Sequence, residues 1–522
     1  MTARLPFRAP TLLAVTLVGG ALLRCWGLGD RCLWFDEALT WRFLDLTPAQ
    51  MMEGALGAGG SHPPVYYLVL RAWAGVWGHS EVALRSLAVL AGVLTIAGTY
   101  LFMKEAALLG RATAGDEGRR RAEQVACLAA ALVAGSVAQV HASQQARMYS
   151  LGTALLTLDS WLLLRALRGR PYRRVSWVLF GVLAVLFCYT HLLGLFALAA
   201  QGIFAALYLT VGPGRRHGAA GEREGGAQLR WALGVAAAVA VACSPLPAMA
   251  LAKADGMGWS VPLHGEAIAY ETALALLSTF AAPFAIPPAA AWCLTAALLG
   301  TLVYLALRQG WPGRFVALCG LLPAQMMIVY SLMSGRSLFL CRYLTFIQVY
   351  WLCAIALFAF SLRPAARWAL LAGLAAVWLL VSYPAGRQAV GPADTPGMRA
   401  AVEHVLRHRQ PGEALLAQRP ITLIKALYYL RGRARPRLCV PIPSRLLQPQ
   451  AAWLNDDDLV PTADVLSLEA RGVWVLSTSW YDEAPEVTFP LPGHWQLERT
   501  FRFAQDYLGE GPVMVYYYRA TS

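Results

Sequence analysis

Between Val175 and Val211 the chain reads VSWVLFGVLAVLFCYTHLLGLFALAAQGIFAALYLTV, thirty-seven residues without a formal charge. A helix crosses a bilayer core with about 17–25 apolar residues, so this run is too long for one span and long enough for two. Length alone places the division at Tyr189-Thr190-His191, giving windows at 175–191 and 192–211. Comparable windows recur on the N-terminal side at 10–28, 82–103, 122–141 and 148–164. On the C-terminal side they fall at 231–250, 289–307, 315–333, 343–361 and 368–384. The pattern predicts an α-helical polytopic membrane protein with about eleven transmembrane helices.

Composition supports that class and excludes others. Of the 522 residues 57% are apolar and 14% are Asp, Glu, Lys or Arg, where soluble chains carry about 25%. Too little charge remains to cover several globular surfaces, and the hydrophobicity excludes disorder. Ten cysteines do not make a disulfide scaffold, and most stand inside apolar runs as small hydrophobes. A net charge of +14 would raise the question of nucleic acid in a soluble chain, but the placement of the basic residues assigns it to the bilayer instead. Segments alternate in Lys+Arg content: twenty fall on one set of inter-span segments and nine on the other, although the poorer set includes a loop of more than fifty residues. Basic residues stay on the cytoplasmic side during insertion. The N-terminus is therefore expected inside, and an odd number of spans puts the C-terminal region outside, at a cytoplasmic (inner) membrane. No small-x-small cleavage site follows residues 10–23, so the first span is expected to be retained.

Two outer regions stand apart. The loop 24–81 carries Trp26, Trp34, Phe35, Trp41, Phe43, Tyr66, Tyr67, Trp73 and Trp77, the rings expected at headgroup level. Within it Pro64–Trp77 reads as a helix in the interface, and 267–282 as a second. Residues 385–522 have soluble composition, with 15 Lys+Arg against 14 Asp+Glu. Helices at 398–409 and 421–430 alternate with strands at 414–418, 473–477 and 513–519, which predicts a small extracytoplasmic α/β domain. The expected division is a transmembrane catalytic domain over 1–384, its active site on loop 24–81, and the soluble domain over 385–522. No Walker or dinucleotide-binding pattern is present, so a nucleotide has no evident seat.

Chemistry concentrates at Leu33-Trp34-Phe35-Asp36-Glu37-Ala38. Adjacent residues point about 100° apart on a helix, so Asp36 and Glu37 do not flank one bond as a glycoside hydrolase requires. One working carboxylate suits a reaction whose leaving group departs as phosphate, because only the incoming hydroxyl then needs a base. The same pair would also suit a helix N-terminus, where acids favour the dipole. Trp34-Phe-Asp-Glu-Ala is followed by Ser61-His-Pro-Pro-Val-Tyr-Tyr, Gly78-His-Ser-Glu-Val-Ala-Leu-Arg85, Ala146-Arg-Met-Tyr-Ser150 and Cys341-Arg-Tyr-Leu344. In this order the motifs resemble those of the GT-C glycosyltransferases that use polyprenyl-phosphate sugars, the group of the protein O-mannosyltransferases and the lipid A aminoarabinose transferases. The resemblance covers most of residues 23–165; beyond that it is mainly one of topology.

The resemblance implies an inverting transfer of a hexosyl or pentosyl group from a polyprenyl-phosphate-linked sugar to a hydroxyl or amine of a lipid, protein or glycan acceptor. It places the catalytic base on Asp36, with Glu37 assisting. Arg147 and Arg342, at the outer ends of their windows, suit the charge that develops on the departing phosphate. Arg85, His62, Tyr149 and Tyr343 complete the expected substrate-binding set. Snorkelling to the headgroups is the alternative use of Arg85, Arg147 and Arg342. His62, His141 and His191 also fall outside, but there is no His-Glu-x-x-His and no Cys pair at ligand spacing, so neither a metal nor any other cofactor is expected, a divalent ion being the disfavoured option. Asp159, half-way along its window, keeps open a polytopic transporter or flippase of a lipid-linked glycan, although no repeat relates the two halves. A non-catalytic anchor would need one span rather than eleven.

Overall fold

The computed structural model describes residues 9–56, 62–109, 115–169, 173–213, 219–254, 262–277, 286–384, 397–440, 458–461, 470–478, 491, 494–507 and 510–520. Ser61, the end of the expected interfacial helix at 278–282, and the segment 385–396 next to the expected domain boundary lie outside them. Two compact units share the chain: Met1–Trp26, His62–Tyr66 and Arg85–Gly386 form the first, and Gly27–Ser61, Tyr67–Leu84 and Arg387–Ser522 the second. Much of the outer loop is thus grouped with the C-terminal segment rather than with the helices that flank it in sequence.

Helices dominate up to residue 382: α1 (Ala9–Cys25), α2 (Phe35–Phe43), α3 (Pro48–Leu56), α4 (Val65–Trp77), α5 (Glu81–Ala107), α6 (Asp116–Gly135), α7 (Val137–Ser143), α8 (Tyr149–Leu167) and α9 (Arg173–Cys188). They continue as α10 (Gly194–Thr210), α11 (Ala219–Cys243), α12 (Leu246–Ala254), α13 (Gly265–Leu277), α14 (Pro288–Arg308), α15 (Gly310–Ser334), α16 (Cys341–Ala359) and α17 (Pro364–Val377), the last prolonged by a π-helical turn over Trp378–Ser382. Among the described residues seven helices are long and apolar enough to cross a membrane, or eight if α6 and α7 count as one bent span.

In the first unit the long apolar run breaks where α9 ends at Cys188 and α10 begins at Gly194. The turn is held by polar bonds: the Val65 N–H donates to the Tyr189 carbonyl (3.1 Å), and the Leu193 N–H to His191 Nδ1 (3.2 Å). Window 122–141, read as one continuous span, is instead bent by 62° between α6 and α7. Ser136 adopts extended backbone there and caps α7 by accepting from the Gln139 N–H. The carbonyls freed at the end of α6 are taken by buried Arg24, which donates to Ala134 O (3.0 Å) and Val133 O (3.3 Å), and also to Ser143 Oγ (3.2 Å). Gly92 permits this: a Cβ there would lie 2.2 Å from Ser143 Oγ and 2.7 Å from Arg24 Nε. Gln348 on α16 joins the bend by donating to Ser136 Oγ (3.0 Å) and accepting from Gln139 Nε2 (2.8 Å). Nearly every residue of α16 is buried, whereas α17 buries none and shows apolar side chains outward, as a lipid-facing helix does.

The second unit is built on a six-stranded sheet with β1 (Ala414–Ala417), β2 (Arg437–Val440), β3 (Leu459–Pro461), β4 (Gly472–Ser477), β5 (Trp495–Phe503) and β6 (Val513–Ala520), in the order β3-β2-β1-β4-β6-β5. The first four are mutually parallel, and β6 runs antiparallel to both β4 and β5. Helices α18 (Gly397–His408) and α19 (Pro420–Leu430) complete it, with α19 serving as the crossover that parallel β1 and β2 require. Leu416, Val473, Val475 and Tyr516 lie in its core. Helix α2 packs on α19, where the Trp41 ring meets Tyr428 edge-on at 5.2 Å.

Candidate active site

Asp36 and Glu37 stand in the first turn of α2. The helix-terminus reading of this pair therefore applies, and it separates the two acids. Glu37 is fully buried, and its Oε2 accepts the Trp34 N–H (3.3 Å), closing the end of the helix. Asp36 is only half-buried.

Three consecutive amides at this terminus are taken by side chains. The Leu33 N–H donates to Tyr429 Oη (2.8 Å), the Trp34 N–H to Glu37, and the Phe35 N–H to Glu510 Oε1 (3.0 Å). Glu510 Oε2 lies 2.5 Å from Lys425 Nζ, which also meets Asp506 Oδ2 at 2.5 Å. Asp506 in turn accepts the Met398 N–H (2.9 Å). Lys425 is wholly buried; burial alone would lower its ammonium, but the two carboxylates outweigh that and hold it above the ordinary lysine range. Burial pushes the Glu510 carboxyl up, against the pull of Lys425. The Trp34 ring stacks on Tyr507 at 4.7 Å. Two residues of the Gly78–Arg85 motif are bound from α18 and from α19 and its C-cap: His79 O accepts from Tyr428 Oη (2.8 Å) and Arg431 (2.9 Å), and Glu81 Oε1 accepts from Tyr429 Oη (3.1 Å) and Arg399 (2.7 Å).

The remaining expected site residues belong to the first unit. His62 and His191 rings face each other at 4.9 Å, and Tyr149 and Tyr343 lie 6.1 and 5.6 Å from His191. Arg342 covers the Tyr343 ring at 5.3 Å. His62, Tyr149, Arg342 and Tyr343 thus converge, and His191, which the sequence names only among the outer histidines, stands among them. Arg85 is 0% and Arg147 5% exposed, so neither guanidinium snorkels along the surface, whereas Arg342 is half-buried. Asp159 is enclosed where Gln201 donates to Ser160 Oγ (3.0 Å) and Ser160 bonds Tyr350 Oη (2.7 Å).

Sequence reading passed over Lys425, Tyr429, Asp506 and Glu510. Lys425 had a signal of its own, a lone charge inside an apolar helix; the others did not. It also passed over Glu271 on α13, whose Oε2 accepts the Cys341 N–H at the start of α16 (2.6 Å).

Among solved structures the chain is similar to ArnT from Cupriavidus metallidurans bound to undecaprenyl phosphate, with a TM-score of 0.53 and 14% identity over 97% of each chain. The chain has the GT-C glycosyltransferase fold. It is also similar to the oligosaccharyltransferase of Archaeoglobus fulgidus in its apo form, with a TM-score of 0.51 and 14% identity over 90% of this chain and 70% of that one. No family model and no curated protein matches the sequence. The GT-C fold agrees with what the order of the short motifs implied.

Proposed function

We propose that this chain is a membrane glycosyltransferase that takes a hexosyl or pentosyl group from a polyprenyl-phosphate-linked sugar and passes it, on the extracytoplasmic face, to a hydroxyl or amine of a lipid, protein or glycan acceptor. The observation that carries the reading is the likeness over 97% of both chains to an enzyme bound to undecaprenyl phosphate, in a chain whose Asp-Glu motif leaves Asp36 half-buried and encloses Glu37.

Asp36 is the base. The acceptor oxygen or nitrogen attacks the anomeric carbon from the face opposite the phosphate, its proton passes to the Asp36 carboxylate, and the bond from the anomeric carbon to the phosphate oxygen breaks with its electron pair left on the phosphate. Configuration inverts because bond making and breaking occur on opposite faces. Arg147 and Arg342 stabilise the departing phosphate, and Arg85 adds to the same basic set. His62, Tyr149 and Tyr343 bind sugar or acceptor. Glu37 serves through the helix end it closes, and no metal or other cofactor is required. Donor supplied through the bilayer removes any need for a nucleotide sugar at the site.

The test is sugar transfer by the purified protein in detergent from a panel of synthetic polyprenyl-phosphate sugars, with a chelator present and an envelope extract as acceptor, for wild type and Asp36→Asn. Turnover in wild type that falls by about a thousandfold or more in the variant is the expected result. Absence of turnover with every donor from well-folded wild type would overturn the reading and turn attention to Asp159 and transport.

A further inference from the structure

We propose that Glu510, gripped by Lys425, is a positioning residue for Asp36; this rests on the reading of Asp36 as the base. A nine-residue helix is too short to hold itself, and its first amides have no partner within it. On α2 the Trp34 N–H is closed from within by Glu37, and the first helical amide, that of Phe35, is assigned to a group outside the helix. Phe35, immediately before Asp36, gives its N–H to Glu510 Oε1, while the other oxygen of Glu510 is fixed by Lys425. The direction of the first turn, and with it the Asp36 carboxylate, follows from a carboxylate 475 residues away in sequence.

Glu510 is suited to this by charge as well as shape. Lys425, Asp506 and Glu510 carry one positive and two negative charges, so the cluster keeps a net negative charge at the positive end of the α2 dipole. A carboxylate accepts at both oxygens. An amide cannot replace it: with its oxygen toward Phe35 its NH2 would meet the Lys425 ammonium, and with its oxygen toward Lys425 its NH2 would meet the Phe35 N–H. Glu510→Gln is therefore nearly isosteric and yet breaks one of the two bonds.

A second variant removes the donor and leaves the cluster whole. Phe35 occupies the first helical position, where proline is accepted because its N–H has no helical partner, and Trp34 before it already has the extended backbone (φ −79°, ψ 173°) that a following proline demands. Phe35→Pro deletes the hydrogen bond, and Phe35→Ala, which loses the ring and keeps the N–H, is its control.

The experiment uses the full chain in detergent and two readouts. Hydrogen exchange across residues 33–43 reads the position of α2 without reference to activity; sugar transfer reads its consequence. Expected is faster exchange of the Asp36 and Glu37 amides in Glu510→Gln, and in Phe35→Pro relative to Phe35→Ala. With it, kcat falls by about ten- to a hundredfold while the donor KM stays within about threefold. Glu510→Asp, which keeps both acceptors, recovers part of the rate. Exchange unchanged in Glu510→Gln, or equal in the two Phe35 variants, overturns the proposal whether or not the chain transfers sugar. If exchange responds but no wild-type donor turns over, the clamp stands and the assignment of Asp36 as a base fails. If Glu510→Gln does not fold, the Phe35 pair decides alone.

Discussion

Glu271 shows how a single side chain can couple the protein to pH. Its carboxylate accepts the Cys341 N–H, yet burial raises it from 4.5 to about 7, with the Cys341 N–H and Arg342 pulling the other way. Below about pH 4.5 the group is protonated in both the folded and the unfolded chain and contributes nothing to the pH dependence. Between there and about pH 7 the unfolded chain releases the proton while the folded chain holds it, so stability falls as pH rises, by no more than about 3 kcal/mol, and is level above. Glu271→Gln keeps an acceptor for Cys341 and removes the titration. The melting temperature of the variant in detergent, compared with wild type, should be similar at pH 5 and higher by several degrees at pH 8; a difference independent of pH would show that Glu271 does not titrate in this window. At this scale the legible residues were those whose oddity is local. Asp36 and Glu37 announce themselves as two acids among aromatic rings, whereas nothing near Glu510 says that it will bond Phe35. A pairing across hundreds of residues leaves no periodic trace.

At the scale of the element, the bend between α6 and α7 is the clearest departure from what hydropathy foretells. Window 122–141 is apolar enough on average to read as one span, and hydropathy does not respond to backbone direction. Ser136 turns the chain, and the carbonyls so exposed need a donor, since an unpaired one inside an apolar bundle costs several kcal/mol. Arg24 supplies two such bonds, to Ala134 O and Val133 O, and is itself held by Gly20 O of its own helix and by Ser143 Oγ. Arg24→Met should lower the unfolding free energy by about 3 kcal/mol, well beyond the roughly 1 kcal/mol expected of Ser143→Ala, when both are unfolded by denaturant in detergent. Equal losses would mean that the carbonyls find other donors and that the bend does not depend on Arg24. Strands were legible in the same uneven way. Buried β4 and β6 read as β-branched and aromatic runs, while β5, whose Trp495–Phe503 sequence mixes polar and apolar residues and carries Glu498-Arg499-Thr500 at its middle, is an edge strand that is largely exposed and offers no apolar run.

For the whole molecule the governing quantity is the distribution of charge. Twenty Lys and Arg on one set of inter-span segments against nine on the other predicts that Arg119–Arg121 face the cytoplasm and that the sheet domain, which carries Arg407, faces away from it. The same arrangement is what a transferase fed by a lipid-linked donor would need, because its acceptor and Asp36 must then share the extracytoplasmic side. Both probe positions are exposed, Arg407 with 73% of its side chain accessible and Arg120 at the start of α6. In a background with exposed Cys25 and Cys293 replaced by Ala, Arg407→Cys should react with a membrane-impermeant maleimide in intact spheroplasts, and Arg120→Cys only after the membrane is permeabilised. The reverse pattern would turn the protein over and place Asp36 on the cytoplasmic side, where a nucleotide sugar could reach it. Labelling of both in intact cells would mean that an even number of spans lies between the two positions, contrary to the odd count between α6 and the sheet domain that the hydropathy windows require.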